Sequence, residues 1–466
     1  MRRSGAIILT QIVATIYLFC SAIAADHSIP SLRGTDGGAA YQRFDDDVAT
    51  ASQSHVRFED RTAAIVGDAL TLIERNEREG APLDQRWYGL RRFGPPLEQF
   101  LRAREIRFYG GRETDVRSAL AGQYVSMVPY EAHQDPAEMR LFAGYRDAGD
   151  FDVIMIGQNG REVALKTVVR LAYLFKFSDE RTTRAFAGDL DSFLLRARIF
   201  LSSLSPRQEF ISFFRRYRIT DPDVVFIGFE GDTRSYLKEA GIEDPQRYAT
   251  DSLKINWYPD ANGKKVLLVS INGNRIFASR AGELVKAMFQ TFDSPPEALV
   301  FFGSAGAIGA PGLLGGLVAP TVIVNDDDLD GGRCGEKLAH IIRNRAAMIL
   351  PVKSAHTSVE SILVETTRWA AARKNNRIMT VDQELYHVVE AINASPYGAR
   401  IQLFVGLLVT DNVSSVRAHD DTTLQHAEDI IAGTAGLRRL FLARVLSEVG
   451  IIKPSVAARP HVRVNE

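Results

Sequence analysis

Cysteine is nearly absent from this chain of 466 residues: there are two, Cys20 and Cys334. Cys20 falls in an apolar N-terminal run that reads as a leader, so the mature chain keeps one thiol and no internal disulfide. Its cores must hold it without covalent staples. Cys334 lies in Asp330-Gly331-Gly332-Arg333-Cys334-Gly335 with no histidine nearby in sequence, which reads as a loop thiol rather than a nucleophile. A basic surplus is missing too, since 56 Lys and Arg face 57 Asp and Glu. Nucleic acid is therefore not the expected partner, because binding a phosphate backbone wants a clear excess of positive charge. The chain shows no internal repeat and no low-complexity tract, and no cofactor or metal is expected. What remains is the composition of a globular protein, 45% apolar and 24% charged, long enough for two domains after a leader.

Met1-Arg2-Arg3 precedes an apolar run from Ala6 to Cys20, and Ala22-Ile23-Ala24-Ala25 offers a small-residue cleavage site before Asp26. The run is short of the roughly 20 residues that span a bilayer. Residues 1–25 therefore read as a signal peptide, and the product as periplasmic or secreted, with no stable membrane anchor. A retained anchor is the alternative. Lipid attachment at Cys20 is disfavoured by the bulky Phe19 before it.

Residues 26–60 are polar and read as a loosely docked tail. From 61 to 220 the pattern is mostly helical, with apolar residues at three- and four-residue spacing in Ala63–Arg75 and Ser192–Leu204. Gln158-Asn159-Gly160 looks like a hairpin turn inside this region. The basic-aromatic stretches Arg86–Phe93 and Phe213–Arg218 read as half-buried helix faces rather than base-stacking surfaces. Thr220-Asp221-Pro222-Asp223 breaks the pattern and marks a boundary. Beyond it, short β-rich runs (Val224–Phe229, Lys265–Ser270, Ala298–Phe302, Pro320–Val324, Leu403–Thr410) alternate with helical stretches, and Asp260–Gly263 signals a hairpin. This predicts an α/β domain with a mainly parallel central sheet over 221–450, followed by a tail, 451–466.

Three segments of this second region carry chemistry. Phe302-Gly303-Ser304-Ala305-Gly306 is an apolar strand running into small residues, where a ligand can approach the backbone. Val381-Asp382-Gln383-Glu384 opens a helical run with acids. These either complement the helix N-terminus or offer paired acceptor oxygens to a sugar diol. Val409-Thr410-Asp411-Asn412 closes a buried strand and puts Asp411 at the carboxyl edge of the sheet, where open α/β sheets bind ligands. A helix cap at Asp411 is the competing reading.

In this order and spacing the segments resemble the nucleoside phosphorylase and nucleosidase superfamily. Val224–Glu230 is similar to its opening strand, Val266–Asn274 to the strand before its first glycine loop, and Gly303–Gly306 to its central glycine loop. Val381–Glu384 is similar to its Val-Asp-Met-Glu segment, with Gln383 in place of Met, and Thr410–Asn412 to its Ser-Asp-x end. The resemblance implies cleavage of the N-glycosidic bond of a purine-type nucleoside, by water or by phosphate. Asp411 would be the general acid and Glu230, or Asp232, the carboxylate that activates water. Glu384, Gln383 and Ser304 would hold the ribose. Gly273, Arg275, Arg280, Gly303 and Ser304 would bind phosphate or the water, and Asn412 and Ser361 the base. Trp369 and Tyr386 are the candidate stacking aromatics. Phe302 stands near a position where hexameric phosphorylases carry arginine, which favours hydrolysis. Phosphorolysis and a binding protein without turnover stay open, and the resemblance implies a homo-oligomer.

Overall fold

The computed structural model describes residues 42–43, 56–80, 97–130, 139–146, 150–176, 188–249, 253–270, 279–326, 339–359, 364–413 and 424–453. The leader, Cys334, Arg86–Phe93, Gly273, Arg275 and Ser361 lie outside them. Strand β1 (Gln42–Arg43) pairs in parallel with a strand far along the chain. The region expected to be mostly helical is instead built on a six-stranded sheet. Its strands are β2 (Phe58–Asp60), β3 (Ile106–Gly110), β4 (Ser126–Pro129), β5 (Met139–Tyr145), β6 (Phe151–Gly157) and β7 (Ala197–Ser202), in spatial order β2-β7-β3-β6-β5-β4. Around it lie helices α1 (Thr62–Glu79), α2 (Leu97–Arg102), α3 (Glu113–Leu120), α4 (Arg161–Lys176) and α5 (Leu190–Leu194).

Two expectations fail here for identifiable reasons. Ser192–Leu204 splits into the short α5 and strand β7, where buried Ala197 and Ile199 flank Arg198. That alternation has the period of two that marks a strand, and it is too short to separate from a helical spacing by eye. Gln158-Asn159-Gly160 joins β6 to α4 rather than two strands. Asn159 fastens this turn to the far end of β7 by donating to the carbonyls of Ser202 and Leu204 and accepting from the Ser202 N–H. The polar tail likewise carries β1 and β2.

The second sheet has eleven strands. After β1 come β8 (Val224–Ile227), β9 (Gln246–Ala249), β10 (Lys254–Tyr258), β11 (Val266–Ser270), β12 (Ala298–Ala307), β13 (Leu317–Asp326), β14 (Ala339–Ile341), β15 (Val352–Val359), β16 (Thr380–Asp382) and β17 (Gln402–Asn412). Its helices are α6 (Pro206–Arg216), α7 (Glu230–Glu239), α8 (Ser279–Thr291), α9 (Thr367–Asn375), α10 (Leu385–Asn393), α11 (Leu424–Gly433) and α12 (Ala435–Glu448). Helix α6 starts on Ser205-Pro206-Arg207-Gln208: the Ser205 hydroxyl accepts from the Gln208 N–H, and the Gln208 side chain accepts from the Ser205 N–H. That reciprocal cap, with proline at the first helical position, is written in the sequence. Phe213 and Phe214 are buried in its inner face.

The sheet is mixed, with parallel pairing at its centre as expected. Strands β11, β8, β12 and β17 run parallel in that spatial order, while β10 joins β11 antiparallel. The Asp260–Gly263 turn between them forms as expected, with Asp260 accepting from the Gly263 N–H. The other pairings close a ring: β12 to β16, β16 to β15, β15 to β13, β13 to β17, and β17 back to β12. Residues Gln42–Glu466 form one compact unit. One apolar cluster takes Ile65 and Leu72 from α1 and Val163 and Val168 from α4. It also takes Val359, Trp369, Val381 and Ile308 from the second sheet's side. Among the described residues no helix is long and apolar enough to cross a membrane.

Candidate active site

Strand β12 is the meeting place of the three segments. On one side it pairs with β17, Ser304 opposite Leu408 and Gly306 opposite Asp411. On the other it pairs with β16, Gly306 opposite Val381 and Ala307 opposite Thr380. Gly303–Gly306 is therefore part of a strand and not the loop that the sequence pointed to. Ser304 is nonetheless exposed, between residues 298–302 and 305–308 that are buried except at Gly303. Solvent reaches the sheet at that residue. Asp411 and Asn412, opposite Gly306 and Ala307, are half-buried, as are Gln383 and Glu384 just past the end of β16.

A bulge aims Asp411. The β12–β17 register slips between Ala305 and Gly306, which pair with Val409 and Asp411, so Thr410 has no Cα partner in this ladder. Bulges of this kind redirect a side chain at a strand end. Both Asp411 oxygens come to 3.2 and 3.3 Å from where a Cβ on Gly306 would stand, and Val413 Cγ1 to 2.6 Å. Only glycine leaves room for the carboxyl there. Asp411 keeps partial accessibility yet lies deep enough for burial to dominate its chemistry. Desolvation pushes its pKa up to about 6, opposed by a hydrogen bond from the Thr410 hydroxyl at 3.3 Å.

Asp382 holds the neighbouring corner. Its carboxylate accepts from the Ser358 hydroxyl at 2.5 Å and from the Leu385 N–H at the start of α10, and it lies 2.9 Å from His356 Nε2. His356 Nδ1 meets the Thr380 hydroxyl at 3.0 Å, and Ser358 also accepts from the Tyr386 N–H. This network, on the paired ends of β15 and β16, fixes where α10 begins and so where Glu384 stands at its cap.

Two residues absent from the sequence reading belong here. Glu365 is buried ahead of α9, and burial, then Asp411, then Asp382 push its pKa well above the carboxylate range against the pull of Lys166. Lys166 comes from the middle of α4, a helix whose residues are buried from Val163 to Leu174. Each is a lone charge in an apolar run, Ile362-Leu363-Val364-Glu365 and Val163-Ala164-Leu165-Lys166. That is the signal that could have found them, since such charges are seldom buried without partners.

The other candidates are held by contacts of their own. Glu230 opens α7 after Gly228 and Phe229, both at positive φ, and it accepts from Asn256 at 2.5 Å and Arg234 at 3.3 Å. Phe229 packs on Phe302 of β12. Asp232 is gripped by Arg438 through two bonds of 3.0 and 3.1 Å. Arg280 is buried, donating to the Asn159 carbonyl at 3.0 Å and to Glu209 at 3.4 Å above the Phe210 ring. These contacts link α8 to α6 and to the turn after β6. Trp369 and Tyr386 are buried in the core, so neither offers an open ring face as a stacking platform. Among the described residues no grouping could hold a metal ion.

The arrangement places an acid with a raised pKa at the end of β17, paired with the strand that carries the exposed Ser304, while β16, which leads to Glu384 at the start of α10, pairs with that strand from the other side. No protein-family model and no curated protein sequence matches the chain. Among solved structures it is similar to the 5'-methylthioadenosine nucleosidase of Arabidopsis thaliana, at 13% identity and a TM-score of 0.38 over 49% of this chain and 95% of that one. It is also similar to the 5'-methylthioadenosine/S-adenosylhomocysteine nucleosidase of Campylobacter jejuni, with 13% identity, a TM-score of 0.38, and 49% and 100% of the two chains covered. A methylthioadenosine phosphorylase from an Antarctic soil metagenome gives 15% identity and 0.35 over 51% and 89%. At such values the chemistry of this chain rests on its own residues.

Proposed function

We propose that this protein is an N-ribosyl hydrolase that cleaves the glycosidic bond of a purine-type nucleoside, with Asp411 as its general acid. The observation that carries the reading is that Asp411 on β17 and the end of β16, which leads into Gln383 and Glu384, pair with β12 from opposite sides at Gly306. A purine leaves poorly as an anion, and protonation by a positioned acid lowers that barrier. The acid must then hold its proton near neutral pH, and burial raises Asp411 in the required direction. Glu384 offers two acceptor oxygens for the ribose hydroxyls, and Ser304 an exposed hydroxyl on β12.

Water is favoured over phosphate as the nucleophile because Arg280 is already held by Glu209 and the Asn159 carbonyl. Export on the leader, with cleavage before Asp26, is part of the same proposal, and N-terminal sequencing of the mature protein tests it. The assay for the reaction is release of free base from a panel of purine nucleosides, with and without phosphate. Base release without phosphate supports the hydrolase. Release only with phosphate makes the protein a phosphorylase, and no release from folded protein removes the enzymatic reading.

A further inference from the structure

Helix α10 starts without the cap that its own N-terminal residue could supply. Glu384 stands at the cap position, yet its side chain accepts no capping hydrogen bond from the helix. The first N–H groups of a helix have no partner within it, and here two strands provide the acceptors. The Leu385 N–H lies 3.1 Å from one Asp382 oxygen and 3.3 Å from the other. The Tyr386 N–H donates to the Ser358 hydroxyl at 2.9 Å. Asp382 and Ser358 face each other across β16 and β15, so both capping groups come from the sheet. The duty that a carboxylate at the cap position often performs is done by Asp382 instead. Gln383 and Glu384 are carried in the short loop that the bond from Leu385 to Asp382 closes.

His356 ties this cap to the sheet. It is fully buried on β15, opposite Thr380 of β16, and its ring bridges two residues of that strand. Nδ1 lies 3.0 Å from the Thr380 hydroxyl and Nε2 lies 2.9 Å from Asp382 Oδ1. The Thr380 hydroxyl continues to the Ser354 hydroxyl at 3.4 Å, and Asp382 Oδ1 also accepts from Ser358 at 2.5 Å. Ser354, Ser358, Thr380 and Asp382 are all buried with it. A carboxylate only accepts, so Nε2 is the ring nitrogen whose hydrogen goes to Asp382. Two side chains of β15 and one N–H of α10 therefore fix the rotation of one buried carboxylate, and the members of such a network support one another. We propose that His356 is a positioning residue for ribose recognition, holding Asp382 on the Leu385 N–H so that the sheet caps α10 and Glu384 is presented to the sugar. This rests on the reading of Glu384 as the carboxylate that takes the ribose hydroxyls. It adds that the strength of that contact is set from β15.

The test compares a purine ribonucleoside with its 2′,3′-dideoxy counterpart, which lacks the hydroxyls that Glu384 would take. The full mature chain is used as wild type, His356→Asn, His356→Gln, Glu384→Gln and the double variant of His356→Asn with Glu384→Gln. Asparagine cannot reach Asp382 from position 356, whereas the glutamine amide can stand where Nε2 stands. His356→Asn should raise KM for the ribonucleoside about 10-fold, the worth of a hydrogen bond to a charged group. Its kcat, and both constants for the dideoxy compound, should stay near wild type. His356→Gln should restore most of the lost KM, and the double variant should be no worse than Glu384→Gln alone. Equal losses on the two nucleosides, or losses that add in the double variant, overturn the proposal. If His356→Asn does not fold, Ser358→Ala, which removes the other β15 donor to Asp382, decides by the same comparison. Hydrogen exchange at the Leu385 amide is read alongside and should quicken in His356→Asn. Quickened exchange in a protein whose wild type cleaves no nucleoside overturns the hydrolase reading alone. Unchanged exchange in a protein that does cleave overturns this proposal alone.

Discussion

At Asp411 the deciding quantity is the proton. Its folded-state pKa of about 6 lies above the ordinary 3.8 because burial disfavours the anion. The acid form is the competent one, so kcat/KM should begin to fall as pH rises through about 6. The same shift has a stability consequence. A raised acid contributes stability that is complete below about 4 and is lost as pH rises through about 6. Asp411→Asn lacks that titration. Thermal unfolding measured across pH should show the wild type falling relative to Asp411→Asn between pH 4 and 7, and a constant difference would contradict the assignment. Gly306→Ala should cost about 1–3 kcal/mol and much of the activity, since its Cβ would meet Val413 at 2.6 Å and crowd both Asp411 oxygens. Denaturant titration checks the first and base release the second. The place of Asp411 at the end of a buried strand was legible in the sequence because an apolar run ending in Thr-Asp-Asn is a local pattern. Glu365 was not, because the groups that act on it come from three other elements.

Among the elements, β16 and α10 depend on Asp382. Removing its carboxylate leaves the Ser358 hydroxyl, His356 and the Leu385 N–H without their acceptor in a buried place. Asp382→Ala should destabilise by about 3 kcal/mol and weaken the ribose contact proposed for Glu384, read as a raised KM. Unchanged stability would show that the network is dispensable. The strands of the second sheet were readable because each is a short, dense apolar run: Val224–Ile227, Val266–Ser270 and the cores of β12, β13 and β17 fall where the sequence places them. The first sheet was missed because β7 is short and follows a five-residue helix. Such apolar runs carry no period long enough to tell the two apart. The Gly303–Gly306 segment misled in another way, since small residues that usually mark a loop here line a strand on which Asp411 closes.

At the scale of the whole molecule, the closing of β12, β16, β15, β13 and β17 into a ring was beyond the sequence. Ring closure depends on which distant strands pair, and a local pattern carries no such information. The contact between the halves was equally hidden. Arg280 belongs to that contact through Asn159 and Glu209. Arg280→Met should lower stability by about 2 kcal/mol while base release stays independent of phosphate. A phosphate dependence in the wild type that Arg280→Met abolishes would assign Arg280 to the site instead. The central claim, that Asp411 protonates the departing base, is tested most directly by changing the leaving group. Wild type and Asp411→Asn would be compared on a purine nucleoside and on a nitrophenyl riboside, whose phenolate leaves without a proton. The account predicts that Asp411→Asn loses about 100-fold or more on the nucleoside but keeps nitrophenyl release near the wild-type rate. Equal losses on both substrates, or none on either, would contradict it.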